Sequence, residues 1–188
     1  MSDIDTNKAE LSHVQNFKAD VEQLKKFQDC FAKNYQNAIM LNKYLSFGNG
    51  KYQINMKFSW FDSFSGQKVE SHSPLLEAYS SKYNYAVCLG RQATYMSLEG
   101  DGIKYASKYM MQAAWLFDDL KQNVTQLKPS EISPDFTAET LGMLSNLMMA
   151  QAQYLFYKMA TEKKMKPEVL SKIALQISNY FKEAFTLS

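Results

Sequence analysis

Residues 147–185 read LMMAQAQYLFYKMATEKKMKPEVLSKIALQISNYFKEAF, and the pattern of this stretch decides the fold class. Apolar side chains recur every three or four positions on both sides of a short break, and Pro167 is suited to the first position of the second helix. Two helices joined by so short a turn pack antiparallel, as a hairpin. Their apolar faces are wider than one core contact needs. That surplus suggests a surface made to receive another helix.

Working outward, the same period appears along most of the chain. Residues 1–8 are expected to be a disordered tail, and residues 9–188 a single helical domain. A first helix runs to about Tyr44, with Val14, Phe17, Val21, Leu24, Phe27, Phe31 and Tyr35 at helical spacing. Gly48, Asn49 and Gly50 end it in a turn. The period then changes to strict alternation, with Tyr52, Ile54, Met56, Phe58 and Trp60 on one side. This predicts a β element near residues 52–60 with one buried face, which must pair with the segment around Gln67 to Glu70 or with another chain.

Ser73 before Pro74 caps a helix expected to reach about Leu98, and Gly100 and Gly102 separate it from one spanning about Ile103 to Leu127. Small residues on the face of that helix, Ala106, Ala113 and Ala114 beside Tyr109, Met110 and Phe117, permit close helix packing. After a linker from Lys128 to Pro134, a helix covers about Asp135 to Lys164 and the last runs from Pro167 to about Phe185. The fold class is mainly α, an antiparallel helical hairpin stack of the tetratricopeptide-like kind with one small β element. No 34-residue self-similarity accompanies it, so the stack is not a true repeat.

Composition narrows the function. A chain of 188 residues buries enough surface for one core without metal or disulfide. The 21 basic against 19 acidic residues give a net charge of +2, too little to point to nucleic acid. With 11 Met, 12 Tyr and 12 Phe but only 7 Gly and 4 Pro, the chain is suited to long helices and to either an adaptable binding surface or a large-residue core. Cys30 and Cys88 read as reduced core thiols, which with a polar amino terminus and no membrane-spanning run predicts a cytoplasmic protein. His13 and His72 lack the spacing of a metal site, and no phosphate-binding glycine loop or nucleophile elbow occurs. Neither catalysis, a metal nor a cofactor is expected. Asp118 and Asp119 point in different directions on a helix and read as a solvated face.

In the last helix, with Val169 at zero and 100° per residue, Tyr180 falls near about 20°, Ile173 near 40°, Ile177 near 80°, Leu170 near 100°, Phe181 near 120° and Ala174 near 140°. If Leu170, Ala174, Ile177 and Phe181 face the core, then Val169, Ile173 and Tyr180 sit at one edge. There they pack on a neighbouring helix or receive an incoming one.

The wording of residues 147–185, AQAQ followed by an aromatic pair, a Lys-Met dipeptide and a final aromatic-Lys-Glu-Ala-Phe run, closely resembles the central part of the BRO domain family. The segments FSWFDSF, with Trp60 and Asp62, and SKYNYAVCLGRQATY also resemble family motifs, in the same order along the chain. The resemblance implies a non-enzymatic adaptor that binds an amphipathic carboxy-terminal helix of an ESCRT-III-type subunit and is recruited to endosomes through its partners. It implies Phe156, Val169 and Ile173 as anchors, with Lys104 as a basic residue near the groove, while Trp60 and Asp62 are implied to be structural. The family domain is longer, with strands before and helices after the matched part. A rival reading is a structural helical scaffold acting through self-association.

Overall fold

The computed structural model describes residues 3–188, with side chains described from Asp20 onward. The expected tail, residues 1–8, and the apolar positions Val14 and Phe17 lie outside those described side chains. Helix α1 (Asp3–Tyr44) leads to a hairpin of β1 (Phe58–Phe61) and β2 (Lys68–Ser71), followed by α2 (Pro74–Thr94), α3 (Gly102–Asn123), α4 (Ala138–Glu162) and α5 (Pro167–Leu187). Each helix packs on the next in chain order, which makes the hairpin stack that the periodicity predicts. Three single 3-10 turns, Val124–Gln126, Pro129–Glu131 and Pro134–Phe136, bridge α3 and α4.

Local chemistry sets the helix ends. The Ser73 hydroxyl accepts the Leu75 N–H at 3.3 Å, and Pro74 occupies a first-turn position that needs no donor. Thr137 caps α4 in the same way, accepting from the Thr140 N–H at 3.2 Å. At the other end of α4, the Met165 N–H reaches the Ala160 carbonyl and the Lys164 N–H reaches the Thr161 carbonyl, both at 3.0 Å. This paired closure requires a left-handed residue, and Lys164 supplies it at φ 50°. The tight turn that results fixes α5 antiparallel to α4.

Helices α3 and α4 approach through small residues. The Ser107 hydroxyl donates to the Ala152 carbonyl at 3.2 Å and the Ser145 hydroxyl to the Ala114 carbonyl at 2.9 Å. Both bonds obey one antiparallel register, which aligns the two helices along their length. The main core gathers Leu76, Leu120, Leu141 and an aromatic cluster in which Trp60 stands edge-on to Tyr83 at 5.4 Å and to Phe136 at 5.3 Å between ring centroids. A second cluster, built on Ala93, Ile103, Ala106, Met110, Ala152 and Leu155, continues the interior toward the far end of α3.

Three sequence expectations are corrected. The expected strand over residues 52–60 is shorter: only Phe58–Phe61 pairs, with Phe58 opposite Ser71 and Phe61 opposite Lys68. Its partner strand is the segment expected around Gln67 to Glu70, but Ile54, Met56 and above all Tyr52, at 89% exposure, lie outside the core. That part of the chain folds back on the end of α1, where the Ile54 N–H reaches the Ser46 carbonyl at 2.9 Å, so local bonds replace a ladder. Second, α2 ends at Thr94 rather than Leu98, and the linker before α4 is built from 3-10 turns. Third, Cys30 is exposed on α1, while Cys88 is buried as expected.

Candidate partner-binding surface

The Trp60-x-Asp62 motif holds the scaffold together. The Trp60 indole N–H donates to the Asp135 carboxylate at 3.0 Å, and the Ser63 N–H adds a bond at 2.8 Å. In return, Asp62 accepts the Asp135 N–H at 2.9 Å and the Ser65 hydroxyl at 2.7 Å. Two buried carboxylates thus clasp the β hairpin to the linker ahead of α4, each satisfied by the other's segment. Burial acts to raise the Asp62 pKa, yet the hydrogen bonds from Ser65 and from Asp135 outweigh it and hold this carboxyl well below the usual range. A third buried acid, Glu131, accepts from the Ser71 hydroxyl and from the Lys128 N–H, the latter at 2.9 Å. These acids are structural, and the surface lies elsewhere.

A valley runs between α3 and α5 with α4 as its floor. Its line on α4 is marked by Gly142, where a Cβ would stand 3.1 Å from Leu187 of α5 and 3.5 Å from Lys121 of α3. Met149 and Phe156 follow Gly142 at seven-residue intervals, and a seven-residue step keeps to one side of a helix, so all three share that line over about 21 Å. Phe156 is 44% exposed on a helix whose other side chains are mostly covered. At the Gly142 end the valley opens into a cavity of about 470 Å³ lined by Lys121, Asn146, Asn179, Lys182 and Glu183. It is apolar at one end and polar, with two lysines, at the other.

The expected site residues fall as follows. The register set by Ser107 and Ala152 puts Lys104 level with the turn of α4 that carries Phe156, and the pairing of Gly142 with Leu187 puts Ile173 level with Phe156 as well. Val169, 41% exposed, lies one turn from Ile173 toward the hairpin turn. Lys104, Phe156 and Ile173 are therefore level with one another along three helices, with Val169 one turn further on. Tyr180 is half-buried and level with Met149, about 10 Å further along. The Lys104 ammonium pairs with Asp101 at 2.6 Å, which raises its own pKa and lowers that of the carboxyl, on an open surface.

The inward arc of α5 differs from the expected one. Ile173, Ile177, Tyr180, Ala184 and Leu187 are its half-buried or buried positions together with Leu170, whereas Ala174 and Phe181 are exposed. Among the described residues α5 packs chiefly on α4, so it needs just one narrow stripe, and a broad apolar arc does not say where that stripe is centred. Sequence reasoning also missed the crest of α3 that borders the valley, where Lys108, Met111 and Trp115 continue the exposed line of Lys104. Their four-three-four spacing was the available signal.

The human programmed cell death 6-interacting protein is 33% identical over 141 residues, which cover 71% of this chain and 16% of that protein. The vacuolar protein-sorting protein BRO1 of Gibberella zeae is 28% identical over 141 residues, covering 74% of this chain and 14% of that one. The chain therefore spans a small part of the length of the curated relatives it matches. Among solved structures, an ALIX BRO1 CHMP4C complex superposes with a TM-score of 0.74 at 27% identity, over 92% of this chain and 54% of the other. Matched over residues 4–188 by the family model described as BRO1-like domain, the chain belongs to that family.

Proposed function

We propose that this chain is a non-catalytic adaptor domain that binds an amphipathic carboxy-terminal helix of an ESCRT-III-type subunit in the valley between α3 and α5, in endosomal sorting or membrane remodelling. The observation that carries the reading is that Phe156 and Val169 are exposed, with Phe156, Ile173 and Lys104 at one level of three helices and Val169 one turn away. An amphipathic helix laid there buries its apolar stripe against these residues. Its acidic flank would meet Lys121 and Lys182 at the other end. Similarity to a structure of ALIX BRO1 with CHMP4C supports that class of partner, and similarity to a vacuolar protein-sorting protein supports the pathway.

Recruitment to endosomes would then come through the partner; among the described residues no helix is long and apolar enough to cross a membrane. Calorimetric titration with a synthetic CHMP4C carboxy-terminal helix tests the reading. Wild type should bind, and Val169→Asp or Phe156→Asp should weaken binding more than tenfold. Unchanged binding by both variants refutes it.

A second reading is favoured by one observation, the outer face of α5. Leu175, Phe181 and Phe185 are exposed there, Phe185 at 82%. A scaffold that self-associates would cover this face with a second copy. Light scattering at several concentrations separates the two readings: a stable dimer lost on Phe185→Ser supports self-association, and a monomer throughout removes it.

A further inference from the structure

The exposed crest of α3 leads from the valley to a second cleft on the same side of the molecule. Lys104, Lys108, Met111 and Trp115 form one line along this crest, about 16 Å from end to end. Across the crest from the valley, between α1 and α3 with α2 as floor, lies a cleft of about 290 Å³. Its walls are Phe31 and Tyr35 from α1, Lys82 and Tyr85 from α2, and Trp115 and Leu116 from α3. Trp115 is 65% exposed at its edge. The other tryptophan of the chain, Trp60, is in the core at 7%.

Charge decides what this cleft takes. The Lys82 ammonium is paired with the Asp119 carboxylate and sits 4.6 Å from the centre of the Tyr35 ring, so its charge is already compensated. What remains is a wall of aromatic rings, which favours an uncharged apolar or aromatic side chain. The approach along the crest is different: Lys104 there is paired with Asp101, but the exposed Lys108 lines it and favours an acidic residue in whatever lies over it.

We propose that the Trp115 cleft is a second docking point for the partner held in the valley, taking one apolar side chain from the residues that flank the partner's helix. This rests on the valley reading given above. Continuity carries it: Trp115 lines the cleft and ends the crest that borders the valley, and it follows Ala114, whose carbonyl takes the Ser145 hydroxyl of the valley floor. A surface aromatic of this size at the mouth of an aromatic cleft offers large contact area at little conformational cost.

The test uses the full chain and synthetic peptides of the CHMP4C carboxy-terminal helix, alone and extended by about a dozen residues at either end, enough to cover the crest. At least one extended peptide should bind wild type about tenfold more tightly than the helix alone, and Trp115→Ala should remove that margin while leaving affinity for the helix alone unchanged. Trp115→Phe should keep part of it. Intrinsic tryptophan emission should move to shorter wavelength with the extended peptide, since Trp115 is the exposed indole. An extended peptide that binds Trp115→Ala as it binds wild type, or leaves the emission where it was, overturns the proposal while the valley reading stands. If the helix alone binds both Val169→Asp and Phe156→Asp as well as wild type, or if no peptide binds wild type, the valley reading fails and this inference with it. Circular dichroism on each variant establishes that the fold is intact.

Discussion

Replacing Trp60 separates two contributions that meet at one side chain. Its ring fills the centre of the aromatic cluster, edge-on to Tyr83 and Phe136, and its N–H is bonded to the buried Asp135 carboxylate. Trp60→Ala leaves a cavity among these rings and should cost about 3–5 kcal/mol, with the donor lost as well. Trp60→Phe keeps most of the ring but withdraws the N–H. Asp135 then retains bonds from Ser63 and from the Ser133 hydroxyl, so the cost should be about 1–3 kcal/mol. Against a total stability of about 5–15 kcal/mol, the alanine variant should be marginal and the phenylalanine variant folded. Urea unfolding at neutral pH, followed by circular dichroism because the fluorophore itself is changed, gives both values. Equal losses for the two variants would show that the hydrogen bond carries everything and the packing nothing. No loss in either refutes the burial and the clasp together.

Other expectations follow from the same geometry. Asp62 has a folded-state pKa lowered by its hydrogen bonds, whereas in the unfolded chain it titrates near about 4, so its contribution is full above that pH and is lost as pH falls below it. Asp62→Asn should therefore be less stable than wild type at pH 7, and the gap should narrow in melts carried toward about pH 2; a constant gap contradicts the assignment. Lys164 closes α4 with a left-handed backbone, and Lys164→Gly should raise stability by about 1 kcal/mol in the same unfolding assay, with no gain counting against strain at the turn. Incubation with EDTA should leave the thermal midpoint unchanged, since no metal-ligand cluster occurs among the described residues; a clear drop would reveal a site. Ile173→Asp should lower stability as well as binding, because Ile173 lies on the inward stripe of α5, whereas Val169→Asp should affect binding alone. Calorimetric melts of the two variants distinguish them.

The helices were legible because their punctuation is local. Ser73-Pro74, Gly100 and Pro167 act through backbone geometry that needs no tertiary partner, and each stands where a helix begins or where the chain breaks. The strand was legible only in part. Alternation from Tyr52 to Trp60 is present in the sequence, but a buried face exists only where something covers it. Tyr83 and Phe136 cover Trp60, and nothing comparable covers Tyr52, which stays in solvent. The resemblance marked Trp60 and Asp62 as structural, but their partner Asp135 was not readable, since it lies far off in sequence and is held partly through backbone donors that carry no residue signature.

The surface poses a harder problem of the same kind. Periodicity says which side chains share a side of one helix, and it placed Val169, Ile173 and Tyr180 together on α5. It does not say which part of a wide apolar arc a neighbour will use, and α4 takes the stripe from Ile173 to Leu187, leaving Phe181 and Phe185 outside. The deciding information is register between helices, fixed here by the Lys164 turn and by two serine hydroxyls donating across the seam of α3 and α4. Once register is set, Lys104, Phe156 and Ile173 fall at one level although they come from three helices. The crest from Lys104 to Trp115 becomes a boundary between two depressions. A single substitution at a seam serine, Ser145→Val, therefore bears on the surface without touching it: loss of the bond to the Ala114 carbonyl costs on the order of 1 kcal/mol and loosens the register that holds the valley open. Binding of a helical peptide should weaken in that variant even though every valley side chain is unchanged. Unaltered affinity would mean that packing of Ala106, Ala113 and Ala152 fixes the register without the serine.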